Sequence, residues 1–138
     1  MRNGILRVAL AILAVVSVEL GIWATFAPRS FYDDFPGFGR HWVRVDGPYN
    51  EHLVRDFGAL NLALAVVTIV ALITLGRPLV IAVAIAWLAW GVPHLVYHLR
   101  HLDVFATGDK VANVAGLVAV PVLAVVVLIL ALRRPARV

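Results

Sequence analysis

The stretch LALAVVTIVALITL-GRP-LVIAVAIAWLAW, Leu62 to Trp90, decides the fold. Fourteen residues without an ionisable group run into Gly76, Arg77 and Pro78, and twelve apolar residues follow. Gly ends one helix, and Pro, whose missing N–H costs nothing at a helix start, opens the next. The stretch therefore reads as a tight antiparallel hairpin of two helices. Their apolar length exceeds what a soluble core helix needs and fits a bilayer.

Working outward, the second span begins near Asn50, placed after Pro48 as an N-cap, with Glu51 in the first turn where the helix dipole favours an anion. The third span continues to His101. A fourth runs from Asp109 to Leu132, starts after Thr107-Gly108, carries Pro121 where a kink is expected, and stops at Arg133, Arg134 and Pro135. The first covers Ile5 to Phe26, longer than the apolar core of a signal peptide and followed by Pro28, so a retained helix is expected. Residues 1–138 thus form one all-α domain, an integral membrane four-helix bundle with spans at about 5–26, 50–75, 78–101 and 109–132.

Composition agrees. The chain is 62% hydrophobic and 14% charged, with a mean hydropathy of +0.93, so the lipid bilayer is its solvent. Its net charge of +4 does not indicate nucleic acid, because the twelve Lys and Arg residues form no basic stripe. Cys is absent, so any metal must be held by His and carboxylates.

Four spans place both termini on one side with Arg77. Arg2, Arg7, Arg77, Arg133, Arg134 and Arg137 gather there without an acid, while all eight Asp and Glu lie in the opposite half with the other six Lys and Arg, so the basic residues alone divide evenly. The termini are expected in the cytoplasm of a cell whose inner (plasma) membrane holds the protein. The connection from Ala27 to Tyr49 then lies outside. It carries Phe31, Tyr32, Phe35, Phe38, Trp42 and Tyr49, which suit either an interfacial anchor or a lid over a site between the helices.

Every span places a polar group a short way beneath that outer boundary. Glu19 is seven residues from Phe26, Asp56 six from Asn50, His94 seven from His101 and Asn113 four from Asp109, depths of roughly 6 to 11 Å. An ionisable group in a span costs about 2.5 to 3.5 kcal/mol on insertion scales, so Glu19, Arg55, Asp56, His94 and His98 are expected to face one another or water. A plain packing network, with Glu19 or Asp56 neutralising Arg55, explains the same residues.

The third span says most. His94, His98 and His101 follow one stripe at i, i+4 and i+7, with Trp90 and Trp87 deeper on it and Gly91 allowing close approach. Two imidazoles at i and i+4 suit one Zn, Cu or Fe ion. His52 is expected to complete the shell, with Asp56 or Glu19 as ligand or as the acceptor that orients an imidazole. Arg55, His101, Asn113 and Trp90 are supporting residues. Haem between His52 and His94 or His98 is the second metal option.

The segments FYDDFPG (Phe31–Gly37), GPYNEHLVRDFGALN (Gly47–Asn61) and PHLVYHLRHLD (Pro93–Asp103) resemble those of small bacterial four-span proteins and are broadly similar to DoxX-like membrane proteins. The resemblance implies a four-helix bundle with a polar site between its helices and a redox or quinone-linked setting. Three functions follow as expectations: a metal or haem binding protein, a proton or cation relay, and a structural or accessory subunit. A homo-oligomer or a membrane-protein partner is compatible with each. Against full transport, the inner half offers no ionisable residue between the site and the cytoplasm.

Overall fold

The computed structural model describes residues 2–133. In chain order it contains α1 (Arg2–Phe26), α2 (Pro28–Asp34), β1 (Pro36–Gly37), β2 (Arg40–His41), α3 (Glu51–Thr74), α4 (Arg77–Arg100), a 3-10 turn at Leu102–Val104, and α5 (Thr107–Leu132). Among the described residues α1, α3, α4 and α5 are long and apolar enough to cross a membrane. At about 1.5 Å per residue they reach roughly 36 Å, more than the ~30 Å of hydrocarbon they must span. The chain is an all-α membrane four-helix bundle with both described ends on one face, the terminal end, and the 27–49 connection on the other, the cap end.

The helix boundaries follow local chemistry. Asn50 caps α3, its side chain accepting from the Leu53 N–H at 3.1 Å. Pro78 sits in the first turn of α4 as expected. The left-handed residue that ends α3, however, is Leu75 (φ 51°), and Gly76 is extended. A left-handed Leu costs about 1 to 2 kcal/mol; its side chain is buried among Leu6, Ala71 and Val80, which holds it there. At the same end Arg77 donates to the Ala131 carbonyl at 3.3 Å and Arg7 to the Leu72 carbonyl at 3.4 Å, so basic side chains satisfy carbonyls that helix ends leave open. Arg134 and Arg137 lie outside the described residues. Pro93 and Pro121 lie within α4 and α5, each of which runs on past its proline.

Packing divides the bundle into two intimate pairs, α1 with α3 and α4 with α5. The sequence-adjacent α3 and α4 touch less. Glycine explains the first pairing: a Cβ on Gly58 would come within 2.5 Å of the Thr25 backbone N, and one on Gly21 within 2.8 Å of the Leu62 side chain. Ser17 donates to the Asn61 carbonyl at 2.6 Å in the same seam. Gly91 plays the corresponding part against Val120 and Pro121 of α5.

The core also divides along the membrane normal. The terminal half is aliphatic around one buried indole, with Leu6, Leu10, Leu13, Val80, Val83, Trp87 and Val127 inaccessible or nearly so. The cap half is aromatic, built on Ala24, Phe31 and Val54 with Trp23, Phe35, Tyr49 and Phe57 against them.

Candidate functional site

The connection expected to be an anchor or a lid is a folded cap. Helix α2 turns Phe31 and Tyr32 inward, the Tyr32 hydroxyl donating to the Gly47 carbonyl at 2.7 Å. Phe38, at the tip of the β1–β2 hairpin between Gly37 and Gly39, is fully exposed. The hairpin is fixed to the first turn of α5 by one carboxylate. Asp109 accepts from the Arg40 guanidinium at 2.6 Å and from the Trp42 indole N–H at 2.9 Å.

Beneath the cap the aromatic rings close a circuit. Phe31 touches Phe35 (centroids 4.9 Å apart), Phe35 Trp42 (6.1 Å), Trp42 Phe105 (6.5 Å) and Phe105 His98 (6.2 Å). His98 meets His94 edge to face at 4.7 Å, His94 stacks on Trp90 at 4.9 Å, Trp90 reaches Phe57 at 6.4 Å, and Phe57 returns to Phe31 at 5.6 Å. Distances of about 4.5 to 7 Å are those of favourable ring pairs. The circuit joins α2, the hairpin, α3, α4 and the α4–α5 connection and runs through the two histidines.

His94 and His98 are thus adjacent, as their spacing predicts. The His98 Nδ1 is buried without a hydrogen-bond partner, and so is the Asn113 Oδ1. A Cβ on Gly91 would lie 3.4 Å from Val120. His98 is seven residues capward of Gly91 and Asn113 seven capward of Val120, so the two unpartnered atoms sit at about one depth on facing helices. Where water is scarce, an open polar atom is costly unless something fills it. Thr25 Oγ1 and Asn61 Oδ1, in the α1–α3 seam, are the other such atoms among the described residues.

The rest of the expected shell is not brought to the pair. Among the described residues no three His, Asp or Glu side chains come together closely enough to hold one metal ion. His52 and Asp56 face outward near the start of α3 and pair with each other at 3.3 Å. Arg55 pairs with Glu51 of its own helix at 2.9 Å and donates to the Thr25 carbonyl, capping the end of α1. It does not meet Glu19, which is exposed on the outer face of α1. The cause is the α1–α3 seam: Val54, Gly58 and Asn61 form its α3 side, and at 100° per residue His52 and Asp56 lie about 200° from Val54. His101 stacks on Tyr97 at 4.1 Å and is exposed, while Trp90 stacks on His94 and Asn113 is buried on α5.

Sequence reading missed Asp109, Arg40, Trp42, Phe57 and Phe105 as parts of this arrangement. The Asp109 contacts span 69 and 67 residues, and no local pattern marks such partners.

No protein-family model, curated protein or solved structure matches the chain.

Proposed function

We propose that the chain is a small metal-binding protein of a cell membrane, taking a Zn, Cu or Fe ion at His94 and His98 beneath the cap, in a redox or ligand-binding role. One observation carries the reading: an imidazole nitrogen of His98, buried and unpartnered, beside a second imidazole and at the depth of an unpartnered Asn113 oxygen. Two imidazoles and an amide oxygen, with water or an exogenous ligand in the remaining position, suit a borderline ion. Haem fits less well, since two axial ligands must approach from opposite faces and His94 and His98 share one helix. The closed aliphatic half below favours binding over conduction. A DoxX-like relationship rests on the quoted segments alone.

Protein purified in mild detergent and equilibrated with Cu(II) or Zn(II) is expected to retain about one equivalent by elemental analysis. His94→Ala and His98→Ala are each expected to lose at least tenfold in affinity, since removing a group that merely orients a ligand already costs about 10- to 100-fold. His52→Ala is expected to bind as the parent does. Unchanged metal content in the His94→Ala, His98→Ala double variant would leave the structural, accessory reading in its place.

We also place the protein in the plasma membrane with the cap outside; Lys and Arg number six on each side, and the reading rests on the six at the terminal side carrying no acid among them to offset their charge. In intact cells an impermeant thiol reagent is expected to label Phe38→Cys and to spare Gly76→Cys. The reverse pattern inverts the orientation.

A further inference from the structure

Glu19 is the least comfortable residue of the structure. It lies seven residues, roughly 10 Å, below the cap end of α1, within the hydrocarbon thickness. It is exposed, and no hydrogen bond or ion pair reaches it among the described residues. A groove of about 400 Å³ beside it is lined otherwise by Ala11, Ala14, Val15, Val18, Ile69 and Leu72. A carboxyl group turned towards lipid is costly and calls for a partner from outside the chain.

The pattern around it says which partner. From Ile5 to Phe26 the outward stripe of α1 is Ile5, Val8, Ile12, Val15, Glu19, Ile22 and Phe26, with spacings of three and four in strict alternation. That is a heptad a/d seam three repeats long, with β-branched residues at five of seven places and one polar residue at an a position. Spacing alone does not single out α1, because Val111, Ala115, Val118, Val122, Val125, Ile129 and Leu132 on α5 repeat it along a face that is apolar throughout. Glu19 makes the difference. A parallel pairing about a twofold axis places each residue opposite its own copy at the same depth, so the two carboxyl groups meet across the axis, where one shared proton supplies the donor that two carboxylates lack. Ala11 and Ala14 leave the groove open for the partner's side chains.

We infer that the chain forms a parallel homodimer through α1, with Glu19 of each copy meeting the other across the cap half of the seam. This surface is separate from the histidine pair, and its test does not depend on metal binding.

The absence of native Cys makes the test direct. Oxidation of membrane vesicles is expected to give disulfide-linked dimers for Val15→Cys and Ile22→Cys, since a/d positions approach within disulfide reach, and little for Val122→Cys on α5. In the Val15→Cys background Glu19→Gln, which still donates and accepts, is expected to preserve the yield. Glu19→Leu, which packs as well but cannot hydrogen-bond, is expected to weaken association roughly fivefold to thirtyfold. Fluorescence energy transfer between labelled copies in detergent gives the same comparison without oxidation. Equal cross-linking at Val122→Cys, dimers insensitive to Glu19→Leu, or cross-links formed only to another protein would each overturn the inference.

Discussion

Trp87→Ala is expected to destabilise the bundle by about 3 to 5 kcal/mol, the range for emptying a buried large aromatic site. Trp87 is wholly buried near the middle of α4, packs edge to face on Trp90 at 5.8 Å, and sends its indole N–H to the Thr68 hydroxyl at 3.0 Å. Transfer out of water contributes little in a bilayer, where lipid is as apolar as the core. The loss is in packing, since no lipid chain refills a closed cavity.

The hydrogen bond itself separates two milder variants. Thr68 also donates to the Leu64 carbonyl at 2.7 Å, so Trp87→Phe leaves no open group and should cost on the order of 1 kcal/mol. Thr68→Val removes the same bond yet strands an indole N–H in mid-bilayer, and should cost more, about 1 to 3 kcal/mol. Equilibrium unfolding in mixed micelles is expected to rank the losses Trp87→Ala, then Thr68→Val, then Trp87→Phe. A loss for Trp87→Phe as large as that for Thr68→Val would show that indole shape, not the hydrogen bond, ties α4 to α3 here.

The spans were legible because each is a long apolar run bounded by helix-ending or helix-starting residues: Asn50, Gly76-Arg77-Pro78, Thr107-Gly108. A bilayer imposes length and apolarity on every crossing segment, and those properties survive in composition. The His94 and His98 pairing was legible because i, i+4 spacing fixes it within one helix. What failed was the inward face of α3. His52 and Asp56 suggest an interior position because they are polar, with Asn61 opposite them. Near a helix start, however, polar side chains reach head groups and water and need no interior. Gly58 and Asn61 carried the better signal, a residue without a side chain beside one able to bond inside the bundle. The cap was legible as aromatic but not as folded, since its anchor, Asp109, is distant in sequence and sits in the first turn of a helix where any carboxylate is welcome.

Gly58 turns that signal into a measurement. A Cβ at this position would stand 2.5 Å from the Thr25 backbone N and Oγ1 and 2.9 Å from the Ala24 carbonyl carbon. Overpacking usually costs about 1 to 3 kcal/mol, and here the obstacle is main chain, which no rotamer change moves aside, so Gly58→Ala is expected at or above the upper end. To admit the methyl group α1 must draw away from α3, which also stretches the Ser17 bond to the Asn61 carbonyl and the Arg55 cap on Thr25. Gly116 supplies the control. It lies in α5, and a Cβ added there would meet no atom within 4 Å, so Gly116→Ala adds helix propensity without a clash and should be neutral or stabilising by up to about 1 kcal/mol. The opposite signs expected from one chemical change isolate backbone approach from propensity, because both glycines are helical. Thermal unfolding in detergent of the two variants beside the parent decides it. Gly58→Ala matching the parent would mean that α1 and α3 do not cross at Gly58, and with that the outward placement of His52 and Asp56 would lose its cause.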